Sequence, residues 1–261
     1  MPNRGAKKAG RKKPPYKAIL STDWNECLAP CGPFDCMAFI YPALASEFTA
    51  VFRAYTDNRI SLGEAAGRIQ KLLPAPISAE QMDAYLEQAF ATYPGVSNLI
   101  DWCRRHSVLF MINTTGMVGY FQRACAKELL PPIPVLSAHP MVNFAACDSD
   151  PDRILELSEI GDKGKHTAAI VRTFGISAEK VFIMGDSGGD GPHFKWGSDN
   201  RAFLIGSMTK PSLRKYCLDH HIHIDLQIGP SYRGQQKRNP DREMRTDFMD
   251  LAPTLEAFLN K

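Results

Sequence analysis

Four short polar clusters contain most of the residues in this chain that could do chemistry together. They are Ser21-Thr22-Asp23-Trp24-Asn25-Glu26-Cys27, Asn113-Thr114-Thr115-Gly116, Asp162-Lys163-Gly164-Lys165 and Gly185-Asp186-Ser187-Gly188-Gly189-Asp190. Between them they offer a carboxylate at Asp23, a hydroxyl at Thr114, an ammonium at Lys163 and a carboxylate pair at Asp186 and Asp190. Hard Mg²⁺ favours carboxylate and carbonyl oxygen, whereas hydroxyls, ammoniums and free backbone N–H groups suit phosphate oxygens. A site assembled from all four clusters could hold a divalent cation and a phosphoryl group side by side.

The segment Gly185-Asp186-Ser187-Gly188-Gly189, taken alone, points elsewhere. It satisfies G-x-S-x-G after a strand and copies the active-serine segment of chymotrypsin-like proteases. That reading needs an all-β, disulfide-bearing secreted protein, and the patterning here is α/β. An α/β-hydrolase reading, with Asp199 or Asp219 followed by His220, His221 or His223, fits the order Ser-Asp-His. It leaves Asp23, Thr114 and Lys163 without a role.

The clusters need elements to position them. Short apolar runs recur at Ala18 to Leu20, Val108 to Ile112, Ile133 to Leu136, Val181 to Met184 and Ala202 to Ile205. Helical periodicity follows at 96–106, 117–128, 164–174, 211–220 and 247–259. Such alternation predicts an α/β fold, a Rossmann-like three-layer core with a parallel sheet. Ligands in such sheets bind outside the carboxyl ends of the strands, where three of the four clusters fall and the fourth opens a helix. The alternation breaks between Leu28 and Tyr93, where three amphipathic helices can be read. The first carries Ile40, Leu44, Phe48, Val51, Phe52 and Tyr55, and the others open with the capping patterns Ser61-x-x-Glu64 and Ser78-x-x-Gln81. The expected organisation is a basic tail over 1–17, a core over 18–30 and 94–261, and an inserted all-helical cap over 31–93. A β-hairpin is expected between Met141 and Ile160, around Asp148 to Asp152. Gly229 to Arg245 reads as a long polar loop.

Composition sets limits. With 44% hydrophobic and 23% charged residues among 261, the chain reads as globular. No apolar run approaches the roughly 20 residues of a spanning helix. The net charge of +3 is uneven, because seven basic residues and no acid lie in the first 17 positions. The remainder carries 24 basic against 28 acidic residues, which argues against nucleic acid as a partner. The tail itself reads as a solvated, flexible segment rather than a nuclear-import or polyanion-binding patch. Seven cysteines without an export signal suggest reduced thiols and a cytoplasmic location.

In this order and context the four clusters resemble the haloacid dehalogenase superfamily, in its phosphoserine phosphatase branch. Asp23-x-Asn25-x-Cys27 corresponds to that family's D-x-D-x-T after the first strand, Thr114 to its second-motif Ser/Thr and Lys163 to its Lys. Gly185-Asp186-Ser187-x-x-Asp190 corresponds to its G-D-S-x-x-D motif, and the helical insert to the cap of that branch. The resemblance implies a phosphatase, hydrolysing an ester or anhydride of a small phosphorylated metabolite. Asp23 would be the nucleophile, forming an aspartyl-phosphate. Mg²⁺ would lie between Asp23, the Asn25 carbonyl and Asp186, with Asp190 assisting. Thr114 and Lys163 would orient and neutralise the phosphoryl oxygens. Thr115, Gly116, Trp24 and His193 are the remaining candidates for substrate contact.

The first motif departs from the family at three places. Glu26 and Cys27 replace a usual Gly and Thr. Asn25 replaces the Asp that protonates the leaving oxygen and then activates water, and an amide cannot carry that proton. General acid–base catalysis contributes about 10²–10⁴-fold, so turnover is attenuated unless another group substitutes. The alternative reading is an impaired protein of the same fold that binds a phosphorylated ligand. His220, His221 and His223 alternate with isoleucine and are read as a strand entering the sheet, not as metal ligands.

Overall fold

The computed structural model describes residues 16–56 and 59–260. Of the expected tail only Tyr16 and Lys17 fall within these, so that expectation lies outside the described residues. Seven strands form one sheet: β1 (Ala18–Thr22), β2 (Val108–Met117), β3 (Val135–His139), β4 (Arg153–Glu156), β5 (Val181–Gly185), β6 (Phe203–Ser207) and β7 (Leu226–Ile228). Their order is β4-β3-β2-β1-β5-β6-β7, and every pairing is parallel. The helices are α1 (Asp35–Ile40), α2 (Ala45–Thr56), α3 (Leu62–Leu72), α4 (Ala79–Ala89), α5 (Val96–Arg105), α6 (Val118–Ala126), α7 (Asp162–Phe174), α8 (Gly191–Asp199), α9 (Pro211–Asp219), α10 (Pro240–Glu243) and α11 (Ala252–Leu259).

The sheet is buried on both faces, which is why its strands are apolar runs rather than alternating ones. Successive side chains point to opposite faces. Leu20, Phe110, Ile112, Phe182 and Met184 join one core with Val118, Phe121 and Leu255 from α6 and α11. Ile19, Leu109, Met111, Val181 and Ile183 join the other with Ile170, Phe194 and Leu213 from α7, α8 and α9. These two cores make the three layers of the expected Rossmann-like α/β fold. Strand β1 is central, with Thr22 in register with Ile112 on one side and Met184 on the other. The chain therefore leaves β1, β2 and β5 at a common edge, at the point where strand order reverses.

Helices α1 to α4 occupy the expected insert. The first of the three helices read there is split. Pro42 cannot donate to a preceding carbonyl, so α1 ends at Ile40 and a turn of 3-10 helix (Pro42–Leu44) precedes α2. Ser61 caps α3 by accepting from the Glu64 N–H at 3.2 Å. Ser78 and Gln81 close a reciprocal capping box on α4.

Two expectations need correction. No hairpin forms between Met141 and Ile160: β4 lies parallel beside β3, with Val135 in register with Arg153. The polar alternation there belongs to an edge strand with half-solvated sides. His220 and His221 are not in a strand; His220 ends α9, His221 turns at φ +55°, and β7 begins only at Leu226. Helix α8 adds to the expected elements and opens with Gly191 and Pro192. Proline is favoured in a first helical turn, and a Cβ at Gly191 would lie 2.5 Å from the Tyr216 ring. Close packing against α9 selects the glycine.

Candidate active site

Three of the four clusters emerge from the carboxyl ends of β1, β2 and β5, and the fourth begins α7. The first turn after β1 fixes Asp23. Its N–H donates to the Met184 carbonyl at 3.0 Å, and its Oδ1 accepts from the Trp24 N–H at 2.7 Å. Oδ2 is left facing Lys163 Nζ at 3.2 Å. The same ammonium lies 2.6 Å from Asp190 Oδ1 and is itself 1% exposed. Asp190 Oδ2 accepts from the Asp186 and Ser187 N–H groups at 3.0 and 3.2 Å. Both Asp190 oxygens are thus engaged, and its carboxylate locks the β5 turn.

Asp186 is different. It is 1% exposed, its Oδ2 lies 2.6 Å from Lys210 Nζ, and its Oδ1 meets no hydrogen-bond donor among the described residues. Carboxylate oxygens of Asp23, Asp186 and Asp190 all lie within 4.8 Å of one another. Burial pushes the Asp186 carboxyl up to about 8; Lys210 opposes this, while Asp190, Asp23 and Glu26 add to it. Burial also raises Asp23, against the pull of Lys163. Asp190 is held below its ordinary value despite burial, because Lys163 sits closest to it. An orphaned buried carboxylate oxygen facing two more carboxylates is a donor set that suits a hard divalent cation.

Thr114 is fully buried; its hydroxyl donates to Asn25 Oδ1 at 3.2 Å and accepts from the Gly116 N–H at 3.2 Å. Asn25 Nδ2 donates to the Cys31 carbonyl at 3.3 Å. Both ends of the amide are therefore occupied. A Cβ at Gly116 would lie 2.8 Å from Asn25 Oδ1, so the glycine serves this close approach rather than contacting the cavity. Thr115 does line the cavity.

Two candidates for substrate contact lie elsewhere. Trp24 is fully buried, with its ring packed edge-on against Phe121 at 5.5 Å, and is not in the cavity wall. His193 is also fully buried, on α8 behind Lys163. Its Nε2 meets Thr167 Oγ1 at 2.9 Å, and Thr167 joins a buried network with Ser21 and Asn113. Burial, aided by Lys163, pushes the His193 imidazole down to about 3. It is a neutral core histidine.

Sequence reasoning missed a second row of charges. Glu26 turns at φ +59°, the left-handed region that favours glycine. This is where the resembling family carries Gly. The Glu26 carboxylate is clasped by Lys210 and by Arg238, and Lys210 also reaches Asp186. Arg238 continues to Glu243, which is 0% exposed and accepts from Tyr93 at 2.7 Å and Tyr232 at 2.8 Å. The polar segment 229–245 is therefore pinned onto the base of the site. A charge-bearing residue in place of the motif glycine was the available signal, but nothing in the sequence named its partners.

A cavity of about 600 Å³ opens above these groups. Its floor is Asp23, Lys163, Asp186 and Lys210, its roof Phe52, Tyr55 and Thr56 from α2, and its far wall Ser212, Lys215 and Tyr216 from α9. Polar contacts from the core hold the insert over it, among them the pair of Lys127, at the end of α6, with Glu87 on α4 at 2.7 Å. Arg123 of α6 grips both oxygens of Asp83 on α4 at 2.7 Å each. Glu159, before α7, accepts from the Leu62 and Gly63 N–H groups at the start of α3, at 3.2 and 3.1 Å.

No family model matches the chain, and no curated protein matches it in sequence. Solved structures do match in shape. A phospho-aspartyl intermediate analogue of phosphoserine phosphatase superposes with a TM-score of 0.63 at 15% identity, covering 92% of this chain and 99% of that one. A substrate-bound phosphoserine phosphatase complex gives 0.63 at 15%, covering 91% and 98%. A HAD family hydrolase from Salmonella enterica serovar Typhi gives 0.61 at 17%, covering 85% and 70%. The chain has the haloacid-dehalogenase-like fold, in the form seen in phosphoserine phosphatase. At this level of identity the likeness is one of fold.

Proposed function

We propose that the protein is a phosphatase that hydrolyses a small phosphorylated metabolite through Asp23. The observation that carries this reading is the convergence of Asp23, Asp186 and Asp190 within 4.8 Å, bridged by Lys163, at the floor of a roofed cavity. Trp24 N–H holds Asp23 Oδ1 so that Oδ2 is the oxygen presented to phosphorus. Attack there forms an aspartyl-phosphate, and Lys163 and Thr114 neutralise and orient the phosphoryl oxygens. Asp23, Asp186 and the Asn25 carbonyl would hold Mg²⁺; Asp190 supports them by fixing the β5 turn and Lys163. When bound, the cation would keep Asp23 and Asp186 ionised and offset charge on the phosphoryl group. Residues 31–93 act as the cap, closing over the site to exclude water, on a core of 18–30 and 94–261. Seven free cysteines fit a reducing, cytoplasmic setting.

Asn25 favours a second reading, a phosphoryl-ligand-binding protein without turnover, because its amide is tied to Thr114 and Cys31 and has no proton to give. Phosphate release from a broad panel of phosphometabolites, with Mg²⁺ and with chelator, separates the two. Chelator-sensitive release that Asp23→Asn abolishes supports the enzyme; ligand binding without release supports the binder.

A further inference from the structure

The phosphatase reading leaves one gap: the proton for a poor leaving group has no donor at position 25. We propose that Tyr55, reaching down from α2, is the proton carrier of this site. This inference rests on the phosphatase reading and deepens it.

The placement is specific. Tyr55 lies one residue before the end of α2 and lines the cavity roof opposite Asp23 and Lys163. Its hydroxyl lies 3.9 Å from where a Cβ on Gly189 would be, one residue from Asp190, and it also faces the Thr115 hydroxyl. A leaving group must depart on the side away from Asp23, toward the roof. Among the described residues, the insert contributes Pro33, Phe52, Tyr55 and Thr56 to the wall, and of these the phenol is the acidic group. The groups facing it are Lys163 on α7, Asp23 after β1, Asp190 before α8 and Thr115 on β2. Burial pushes the phenol up to about 12; Lys163 and Thr115 lower it, while Asp23 and Asp190 raise it. It is therefore protonated when substrate binds, yet it sits within the field of an ammonium that stabilises the phenolate.

The steps balance. Asp23 Oδ2 bonds to phosphorus as the bond to the leaving oxygen breaks. That oxygen takes the electron pair and the Tyr55 proton, leaving a phenolate. Water then attacks the aspartyl-phosphate, the Asp23–phosphorus bond breaks to restore the carboxylate, and the water proton returns to Tyr55. One side chain serves as acid and then base, the two tasks that an amide at position 25 cannot perform.

The test uses the full chain with Mg²⁺ and two aryl esters of similar shape, p-nitrophenyl phosphate and p-methoxyphenyl phosphate. Tyr55→Phe keeps the ring and removes the proton. It should lower turnover of the methoxy ester about a hundredfold while changing the nitro ester, whose leaving oxygen needs little help, by about threefold or less. Asn25→Asp should restore the methoxy ester by more than about tenfold in the Tyr55→Phe background. A positioning role alone would slow both esters equally and give no rescue, and that result would overturn the proposal. If the wild type releases phosphate from neither ester, the phosphatase reading falls and the proposal with it. If it releases both and Tyr55→Phe is unchanged, the proposal alone falls.

Discussion

Glu26 tests how the site accommodates a residue in a glycine conformation. A non-glycine residue at φ +59° costs about 1–2 kcal/mol, and the clasp by Lys210 and Arg238 must offset it. Side-chain exposures of Glu26, Lys210 and Arg238 are 22%, 23% and 20%, so these pairs are neither surface contacts nor dry ones. Exposed pairs contribute about 0–1 kcal/mol and breaking a buried pair costs about 3–5. Neither cation is stranded when Glu26 is removed, since Lys210 keeps Asp186 and Arg238 keeps Glu243. The loss should therefore be about 2 kcal/mol for Glu26→Ala, which retains the backbone strain. Glu26→Gly relieves about 1 kcal/mol of that strain and should cost only about 1. At about 2–4 °C per kcal/mol for a chain of this size, thermal unfolding should show Ala lowest, Gly intermediate and wild type highest. A Gly variant as stable as wild type would mean that the clasp contributes no more than the strain of about 1 kcal/mol that it offsets, and an Ala variant as stable as wild type that it contributes nothing. Equal stability of Ala and Gly would mean that the turn is unstrained.

Other outcomes follow from the same geometry. Asp186→Asn should abolish the Mg²⁺-induced rise in melting temperature, because it replaces the carboxylate whose Oδ1 is unpartnered; an unchanged rise would place the cation elsewhere. His193 is depressed to about 3 from an ordinary 6.5, so the unfolded chain binds its proton first as pH falls. Its contribution to stability is complete above pH about 6.5 and is lost as pH falls toward 3, so His193→Asn should flatten the denaturation midpoint over that window. Arg123→Ala should cost about 1 kcal/mol, since the Asp83 pair is about a quarter exposed. Hydrogen exchange in α4 should quicken while β1 and β5 stay protected.

The sheet and the site floor were legible because both follow from local rules. Apolar runs such as Val181 to Met184 encode a strand buried on both faces, and polar clusters follow three of the five runs. The Ser78 capping box marked α4 to the residue. What escaped was set by tertiary partners. Parallel pairing of β4 depends on β3 rather than on any turn between 141 and 152. Helix α8 begins with Gly191, which the Tyr216 ring requires, and with Pro192, which a first helical turn favours. The burial of His193 and Trp24 follows from α8 and α6 packing on the sheet, which places both behind the site instead of in it. Lys210, Arg238 and Glu243 lie 184, 212 and 217 positions from the Glu26 turn they support, and no periodicity spans such distances.

The central position of β1 bears on how the chain is made. The strand that leads into Asp23 is synthesised well before one of its two neighbours, β5, which ends at Gly185. At roughly 5–20 residues per second, about ten to thirty seconds of synthesis separate the strand from that partner. Throughout that interval one edge of β1 has no native neighbour, and Asp23 has neither Asp186 nor Asp190 beside it. The clasp on Glu26 comes later still, with Arg238. A nascent chain would hold every residue of the insert before it held Lys163, Asp186 or Lys210, so the roof is built over a floor that does not yet exist. Ribosome-bound chains stopped before 185 should therefore expose β1 to chaperones, and those stopped beyond 243 should not.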